Sequence, residues 1–299
     1  MRPLRILNPW RVDTGGAGLG RALVGLALVL AGLVWALPGA AAARSGRART
    51  DAELPAPFRR SPYALMSLSV GLPNAGWQLR AKQLKRSPSL WIQDKSVPYS
   101  YGHPALVLML NRTAKQIARQ SPGSVLLVGD LSREYGGPLA GHRSHQSGRD
   151  ADVGFFVTDA KGRAVNSQSL RTFDREGRAR DKSGLRFDDY RNWLLVQLWL
   201  KDSRAALEHV FVASHLRQRL LDFARARPAF AQYVADAAAF LRQPSTGLPH
   251  DDHFHIRIAC PERQRDLCGP PPAERRASAG ASPSTGGAVG AGGGGAQAK

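Results

Sequence analysis

Apolar and polar residues follow two different periods along the chain, and each period predicts one kind of secondary structure. After Pro104, apolar side chains recur every three or four positions up to residue 118, as on the buried face of a helix. Proline suits the first turn of that helix, and His103 before it is expected to be a structural hydrogen-bonding residue. Similar spacing predicts helices over residues 190–200, 216–226 and 230–241.

Other segments are short, rich in β-branched residues and bounded by turn residues, which is typical of strands. Residues 253–259 alternate between apolar and polar, and residues 124–129 are predicted to form a buried strand. Further strands are expected over residues 151–157 and 210–213, while the polar and charged residues 158–188 are expected to form a surface insertion. These elements predict an α+β fold: a small, mostly antiparallel central sheet flanked by helices and long loops.

The first 43 residues carry the signs of a secretory signal peptide. Four arginines and one aspartate precede the apolar run 22–37, and a Pro-Gly break then leads to the small residues 40–43. A membrane anchor is the competing interpretation, but this run is shorter than the roughly 20 residues needed to cross a bilayer. The sequence therefore predicts cleavage near Ala43, a periplasmic location and no stable membrane anchor after cleavage.

The rest of the chain is expected to form one domain between two irregular segments. Residues 44–62 are polar and contain arginine and proline, which predicts a linker. Residues 63–268 carry the helical and strand patterns and are predicted to be a single catalytic domain. Residues 269–299 are rich in proline, glycine and alanine without apolar periodicity, which predicts a disordered tail.

The formal net charge of +19 indicates an acidic partner. Nucleic acid, an anionic membrane and an anionic cell-wall polymer all fit this charge, and an Arg-rich genome would produce the same composition. Export makes nucleic acid the least suitable of the three, and the sequence lacks the interleaved aromatic and basic residues of nucleic-acid surfaces. We therefore expect no nucleic-acid partner.

The two cysteines, Cys260 and Cys268, are close in sequence. In an oxidising compartment an even pair at this spacing predicts a local disulfide. The alternative, a pair of zinc-binding thiolates, lacks a C-x-x-C spacing and a second cysteine pair.

Five of the eight histidines lie in two short segments, residues 141–152 and 250–255. In a strand, His253 and His255 project from the same face. Gly148 allows a tight turn, so His145 on a loop and Asp152 on the following strand can converge. His145, Asp152 and His255 would then form a three-ligand set with a fourth position for water, the arrangement of catalytic zinc sites.

The motif Ser144-His145-x-x-Gly148-x-x-x-Asp152, paired with His253-x-His255, resembles the zinc peptidases related to lysostaphin and the D-Ala-D-Ala carboxypeptidases. Two longer motifs look specifically like the penicillin-insensitive murein endopeptidases, and the resemblance covers roughly residues 65–268. These motifs are Gly141-His142-x-Ser144-His145-Gln146 and His250-x-x-His253-x-His255-x-Arg257-x-x-Cys260-Pro261.

The resemblance implies a zinc enzyme that acts on peptidoglycan cross-link peptides and cuts the D-alanyl–diaminopimelate amide without a serine nucleophile. His145, Asp152 and His255 match the zinc ligands of that family. His253 and His250 match its two catalytic histidines, one as general base and the other acting on the oxyanion or the leaving amine. His142 matches a metal-binding residue associated with a second zinc at a subunit interface, which leaves a homodimer open.

Several other residues are expected to have supporting roles. Asp150, Asp251 and Asp252 are alternative ligands, but strand parity and the family pattern favour positions around the site or in solvent. We expect His209 and His215 to be structural. Buried core positions, not a sugar-binding platform, are expected for Trp193 and Trp199.

Two rival functions remain beside the endopeptidase. A D,D-carboxypeptidase or a non-catalytic peptidoglycan-binding protein would use the same fold. All the expected site residues are present, so the sequence does not support the non-catalytic alternative. A basic metalloprotein that acts on nucleic acid, such as a nuclease, is disfavoured by the export signal.

Overall fold

The computed structural model describes residues 47–269. The predicted signal peptide and all but the first residue of the predicted tail lie outside this range. Within it, no helix is both long enough and apolar enough to cross a membrane.

The described residues form thirteen strands, most of them short. Their bounds are β1 (Leu68–Leu72), β2 (Ala75–Leu79), β3 (Lys82–Gln83), β4 (Leu90–Ile92), β5 (Tyr101–Gly102), β6 (Leu126–Val128), β7 (Asp150–Gly154), β8 (Val157–Thr158), β9 (Ala164–Val165), β10 (Arg186–Phe187), β11 (Leu207–Phe211), β12 (Leu241–Arg242) and β13 (His253–Ile258).

Six α-helices accompany these strands in the described range. Their bounds are α1 (Pro104–Gln120), α2 (Asp189–Lys201), α3 (Ser214–Arg225), α4 (Pro228–Ala231), α5 (Val234–Phe240) and α6 (Arg265–Cys268).

The central sheet has six strands in the order β12-β11-β13-β7-β6-β4, and its middle pairs are antiparallel. Parallel pairs occur only at its two ends, β12 with β11 and β4 with β6. The α+β prediction is confirmed. In the β13–β7 register, His255 lies directly opposite Asp152, and directly opposed residues have Cβ atoms only about 5 Å apart. Strand pairing therefore brings together two residues about a hundred positions apart in sequence.

The strict alternation in β13 separates a core face from a site face. Phe254, Ile256 and Ile258 are fully buried, and the Phe254 ring meets the Trp199 ring edge-on with the centroids 5.4 Å apart. Trp193 is also buried with no exposed surface, so the two tryptophans belong to the core as predicted. The apolar residues hold the strand against the helices, and the alternate histidines face the opposite side.

Helix α1 begins where the sequence predicts. His103 is its N-cap residue, and its Nδ1 accepts a hydrogen bond of 3.2 Å from the backbone N–H of Ala105. Pro104 occupies the first helical position, where a missing N–H costs nothing. The structural role expected for His103 is confirmed.

Residues 158–188 differ from the predicted surface insertion. They contribute to a three-stranded sheet, β10-β8-β9, and both Phe173 and Phe187 are buried. These two rings pack against Phe155, which also contacts Phe254 of the core. Isolated phenylalanines in a polar sequence give no periodic signal, so tertiary packing alone reveals that the segment contributes to the core.

The predicted helix over residues 230–241 is also divided in two. Helix α4 ends at Ala231 and α5 starts at Val234, although no proline or glycine lies between them. Both short helices contact α3. No breaker residue marks the division, so it leaves no local signal in the sequence.

The segment after β13 is fastened to the N-terminal part of the domain. The disulfide between Cys260 and Cys268 is present, as predicted, with the two Cα atoms 5.8 Å apart. Gln264 inside this loop donates to the Ser67 carbonyl and accepts from the Ser69 N–H. A small apolar cluster beside it includes two residues of the predicted linker; its members are Leu54, Phe58, Leu68, Leu79 and Leu267.

Candidate metal centre

Three predicted ligand atoms form a nearly equilateral triangle. His145 Nε2 lies 3.2 Å from His255 Nδ1 and 3.3 Å from Asp152 Oδ1, and the latter two atoms are 3.1 Å apart. Ligand atoms bound tetrahedrally to zinc at about 2.0–2.1 Å would be roughly 3.3–3.4 Å apart. All three side chains are buried, with exposed fractions of 0%, 2% and 5% for His145, Asp152 and His255. The triangle therefore has the size that a small metal ion requires.

In both His145 and His255, the ring nitrogen that points away from the triangle already has a hydrogen-bond partner. His145 Nδ1 lies 2.6 Å from the Leu131 carbonyl oxygen, and His255 Nε2 lies 3.0 Å from Asp150 Oδ1. Because both partners are acceptors, each outward nitrogen carries the proton. The inward nitrogens then present free lone pairs to the triangle, as in metal sites whose histidines are oriented by surrounding acceptors.

Asp152 supplies the third corner of the triangle. Its Oδ1 is buried and has no hydrogen-bond partner among the described residues, although three imidazole nitrogens lie within 3.3 Å. Burial raises the pKa of this carboxyl group, but His145 and His253 outweigh burial and hold the pKa well below its usual value. A buried, ionised oxygen without a hydrogen bond is suited to bind a cation. A set of two imidazoles and one carboxylate suits zinc.

Asp150 connects the two halves of the site. Its carboxylate accepts from His255 Nε2 and from Arg257 Nε on β13, and it also lies 3.3 Å from the backbone N–H of His145. The side chain has no exposed surface. Burial raises its pKa, but the hydrogen bond and charge of His255 and the Arg257 cation prevail and lower it. The Asp150 carboxylate therefore contacts both His145 on the loop and His255 on β13.

His142 lies beside the same carboxylate as the triangle. Its Nδ1 is 3.7 Å from Asp152 Oδ2, and its Nε2 is 2.9 Å from Asp130 Oδ2. The ligand atoms of His142, His145 and Asp152 all lie within 4.8 Å of one another. His142 is thus oriented by an acceptor in the same way as the other two imidazoles, and it adjoins the first centre.

Asp130 is a site residue to which the sequence alone assigns no role. It follows β6 after Gly129, and β6 pairs with β7, the strand that carries Asp152. The sequence offers two signals: an acidic residue after a buried strand, which is common on protein surfaces, and a Val128-Gly129-Asp130 motif that fits the family the sequence resembles. Its pairing with His142 becomes visible only in three dimensions.

His250 and His253 lie on the solvent side of the triangle, and both are partly exposed. His253 Nε2 is 3.2 Å from Asp152 Oδ1, and its Nδ1 is 2.6 Å from Asp252 Oδ1. Burial lowers the pKa of His253, but the two carboxylates outweigh burial and raise the pKa to about 10.

The ring of His250 lies 5.0 Å from that of His253 and 5.5 Å from that of His255. Burial, followed by the charges of those two histidines, lowers the pKa of His250 to about 4. Its Nδ1 is held 2.9 Å from the Leu248 carbonyl oxygen. His250, His253 and His255 also form a second group whose ligand atoms lie within 4.8 Å.

Backbone geometry is unusual at two of these histidines. His145 has φ of 67° and His250 has φ of 55°, in the left-handed region that side chains other than glycine rarely adopt. Gly148 has φ of 73°, and a Cβ there would lie 1.8 Å from Gln78 Oε1. The tight turn expected at this glycine is present, and it packs closely against the buried side-chain amide of Gln78.

A cleft with a volume of about 920 Å³ opens over the histidines. One wall is the loop around residues 141–145, and the other is the segment 242–253. The candidate ligands His145 and His255 and the two partly exposed histidines all line it. A peptide in this cleft can therefore reach the triangle. The other two histidines expected to be structural do not line the cleft: His209 is buried on β11, and His215 Nε2 lies 3.0 Å from the Phe173 carbonyl oxygen.

The fold and site define an α+β domain with a candidate metal centre at the floor of an open cleft. A family model described as penicillin-insensitive murein endopeptidase matches residues 69–281, and the chain belongs to that family.

Curated relatives with that name are similar in sequence to about half of this chain. Those of Escherichia coli O157:H7 and Shigella boydii serotype 18 are 28% identical over 163 residues, and that of Escherichia coli O17:K52:H18 is 29% identical over 163 residues. The alignments cover 54% of this chain and 54% of each relative. The chain thus spans about half the length of the curated relatives it matches.

Proposed function

We propose that this protein is a zinc-dependent murein DD-endopeptidase that hydrolyses the D-alanyl–diaminopimelate amide of peptidoglycan cross-links. The observation that carries the proposal is the triangle of His145, Asp152 and His255 at the floor of an open cleft of about 920 Å³. The family membership supports the same substrate. A periplasmic location, after removal of residues 1–43, belongs to the proposal because the substrate is there.

His145, Asp152 and His255 would hold the zinc, and His142 would be the nearest additional ligand. When bound in such a site, zinc acidifies a water molecule and polarises a carbonyl group, and amide hydrolysis needs both effects. The chain supplies the rest: Asp150, Asp130 and the Leu131 carbonyl keep the imidazoles in one tautomer and orientation.

His253 is the better candidate for general base. Nδ1 of His253 donates to Asp252 at 2.6 Å, and Nε2 lies 3.2 Å from Asp152 Oδ1. A cation held by Asp152 would offset the negative charge that keeps His253 protonated, which would leave Nε2 as an acceptor. The carboxylates on both sides stabilise the imidazolium that forms when Nε2 takes a proton. His250, with its Nδ1 held by a carbonyl, would act on the oxyanion or on the leaving amine.

The test is digestion of purified cross-linked muropeptide dimers by the purified chain, with and without a metal chelator. Conversion to monomers that stops with chelator and returns with zinc supports the proposal. Release of a terminal D-alanine would instead indicate a carboxypeptidase, and retention without cleavage a binding protein. Hydrolysis that continues after complete metal removal would refute the metal-dependent mechanism.

A further inference from the structure

The cleft carries two arginines that have no acidic partner among the described residues, Arg143 and Arg242. Arg257, the third arginine of the lining, differs because its Nε is bound to the buried carboxylate of Asp150 at 2.5 Å. Arg143 makes one weak side-chain contact, Nη1 to Thr246 Oγ1 at 3.3 Å. Arg242 donates only its Nε, to the Ala239 carbonyl at 3.0 Å.

The free donors of these two side chains match a carboxylate. Arg143 keeps Nε and Nη2, and Arg242 keeps both Nη groups, so each retains two N–H directions from one planar head. A guanidinium with this geometry binds carboxylates in a bidentate manner, which adds specificity as well as affinity. Both side chains are exposed in the cleft, so no buried anion has to be displaced.

The two arginines flank the metal centre. Arg143 lies on the loop before β7, two residues from His145, and Arg242 lies on β12 at the edge of the sheet. Arg143 belongs to one wall of the cleft and Arg242 to the other, and His253 and His255 line the same cleft. Arg242 pairs with Phe211, whose ring lies 5.7 Å from that of His255.

The acidic residues of the cleft lining do not neutralise the positive charge of Arg143 and Arg242. Asp252 is occupied by His253, whose Nδ1 lies 2.6 Å from its Oδ1. Asp251 is the remaining acid in the lining, and its backbone carbonyl is bound to the Phe173 N–H. The two unpaired guanidinium groups therefore outnumber the unpaired carboxylates of the cleft walls.

We propose that Arg143 and Arg242 form a carboxylate-recognition pair that selects peptides bearing acidic groups on both sides of the cleaved amide. This inference rests on the proposed function for the position of the cleaved bond. It adds that the cleft recognises free carboxylates, not carboxamides, in the substrate.

The test uses two matched peptides that differ only in whether the carboxylates flanking the amide are free or converted to carboxamides. Hydrolysis of each is measured with the parent chain and with Arg143→Gln, Arg242→Gln and the double variant. We expect each single substitution to raise KM for the carboxylate peptide about tenfold with little change in kcat, the size of one charge-assisted contact in an exposed site. The carboxamide peptide should show the same KM with all four proteins.

Arg119→Gln is the matched control. Arg119 is exposed in the last turn of α1, forms no ion pair among the described residues and does not line the cleft. Its substitution removes the same charge and should leave both KM values unchanged. Arg143→Lys and Arg242→Lys should recover only part of the affinity, because an ammonium group keeps the charge but not the bidentate geometry.

Binding of the two labelled peptides, followed by fluorescence anisotropy, separates this inference from the proposed function. If neither peptide is hydrolysed, the proposed function fails, and selective loss of carboxylate-peptide binding in the two variants still supports the recognition pair. Equal binding of both peptides, or an equal effect of Arg119→Gln, would overturn the recognition pair even in an active enzyme.

Discussion

Asp150 and His255 are joined by a hydrogen bond of 3.0 Å between Oδ1 and Nε2, across 105 positions of sequence. The same carboxylate also receives Arg257 Nε and lies beside the backbone N–H of His145. A fully buried anion at this junction orients one candidate ligand through its side chain and another through its backbone. The candidate centre therefore depends on a residue outside the ligand triangle.

Asp150→Ala should weaken zinc binding about 10–100-fold, because His255 loses the acceptor that fixes its tautomer. It should also lower the free energy of unfolding by about 3–5 kcal/mol, since Arg257 would be left without its buried partner. Chelator competition and denaturant unfolding measure the two effects. Asp222→Asn, at an exposed ion pair on α3, is the control and should change neither quantity appreciably. Unchanged zinc affinity in Asp150→Ala would remove this residue from the centre.

His255→Ala and His253→Ala should separate metal binding from turnover. The first removes a corner of the triangle, so the protein should lose both zinc and activity. The second removes a partly exposed imidazole, so zinc should stay bound while kcat falls about 100-fold or more. Metal analysis of the purified variants, beside muropeptide hydrolysis, distinguishes the two. Full turnover in His253→Ala would exclude that histidine as the base.

His142→Ala and Asp130→Ala should have non-additive effects on zinc affinity. If Asp130 acts by orienting His142 through the 2.9 Å contact, the double variant should bind zinc no more weakly than His142→Ala alone. The expected loss is about tenfold or more for each single variant. Additive losses in chelator competition would show that the two side chains act independently.

Gly148→Ala should destabilise the domain more than Gly162→Ala. Both glycines have positive φ, 73° and 77°, so alanine at either carries the left-handed penalty of about 1–2 kcal/mol. At Gly162 a Cβ meets nothing within 4 Å, whereas at Gly148 it would overlap Gln78, whose Nε2 is bound to the Arg133 carbonyl. Denaturant unfolding of the two variants isolates the steric part, and equal losses would contradict the crowding at Gly148.

His103 should contribute to acid sensitivity. Burial, followed by the Arg149 cation, lowers the pKa of His103 to about 4 from an ordinary value of 6.5. Because the folded state disfavours the charged imidazole, this contribution to stability is complete above pH 6.5 and is lost as the pH falls towards 4. His103→Asn keeps an N-cap acceptor without titrating in this range. Unfolding free energies between pH 4 and 7 should therefore fall less steeply in the variant.

Much of the site could be predicted from local patterns. The alternation in residues 253–259 placed His253 and His255 on one face, because side chains of a strand point alternately to its two sides. Helix α1 and its N-cap followed from helical spacing and the position of Pro104. The disulfide followed from cysteine count and spacing. Each of these depends on neighbours in sequence.

Local sequence patterns identify the residues that could bind a metal, the face of β13 that carries the histidines and the α+β class. The folded domain adds that His255 pairs across the sheet with Asp152, that Asp150 and Asp130 orient the histidines, and that Phe173 belongs to the core. The physical reason is distance along the chain. Periodicity reports which side of an element is buried, whereas strand order and register, set by packing of the whole domain, determine which buried sides meet.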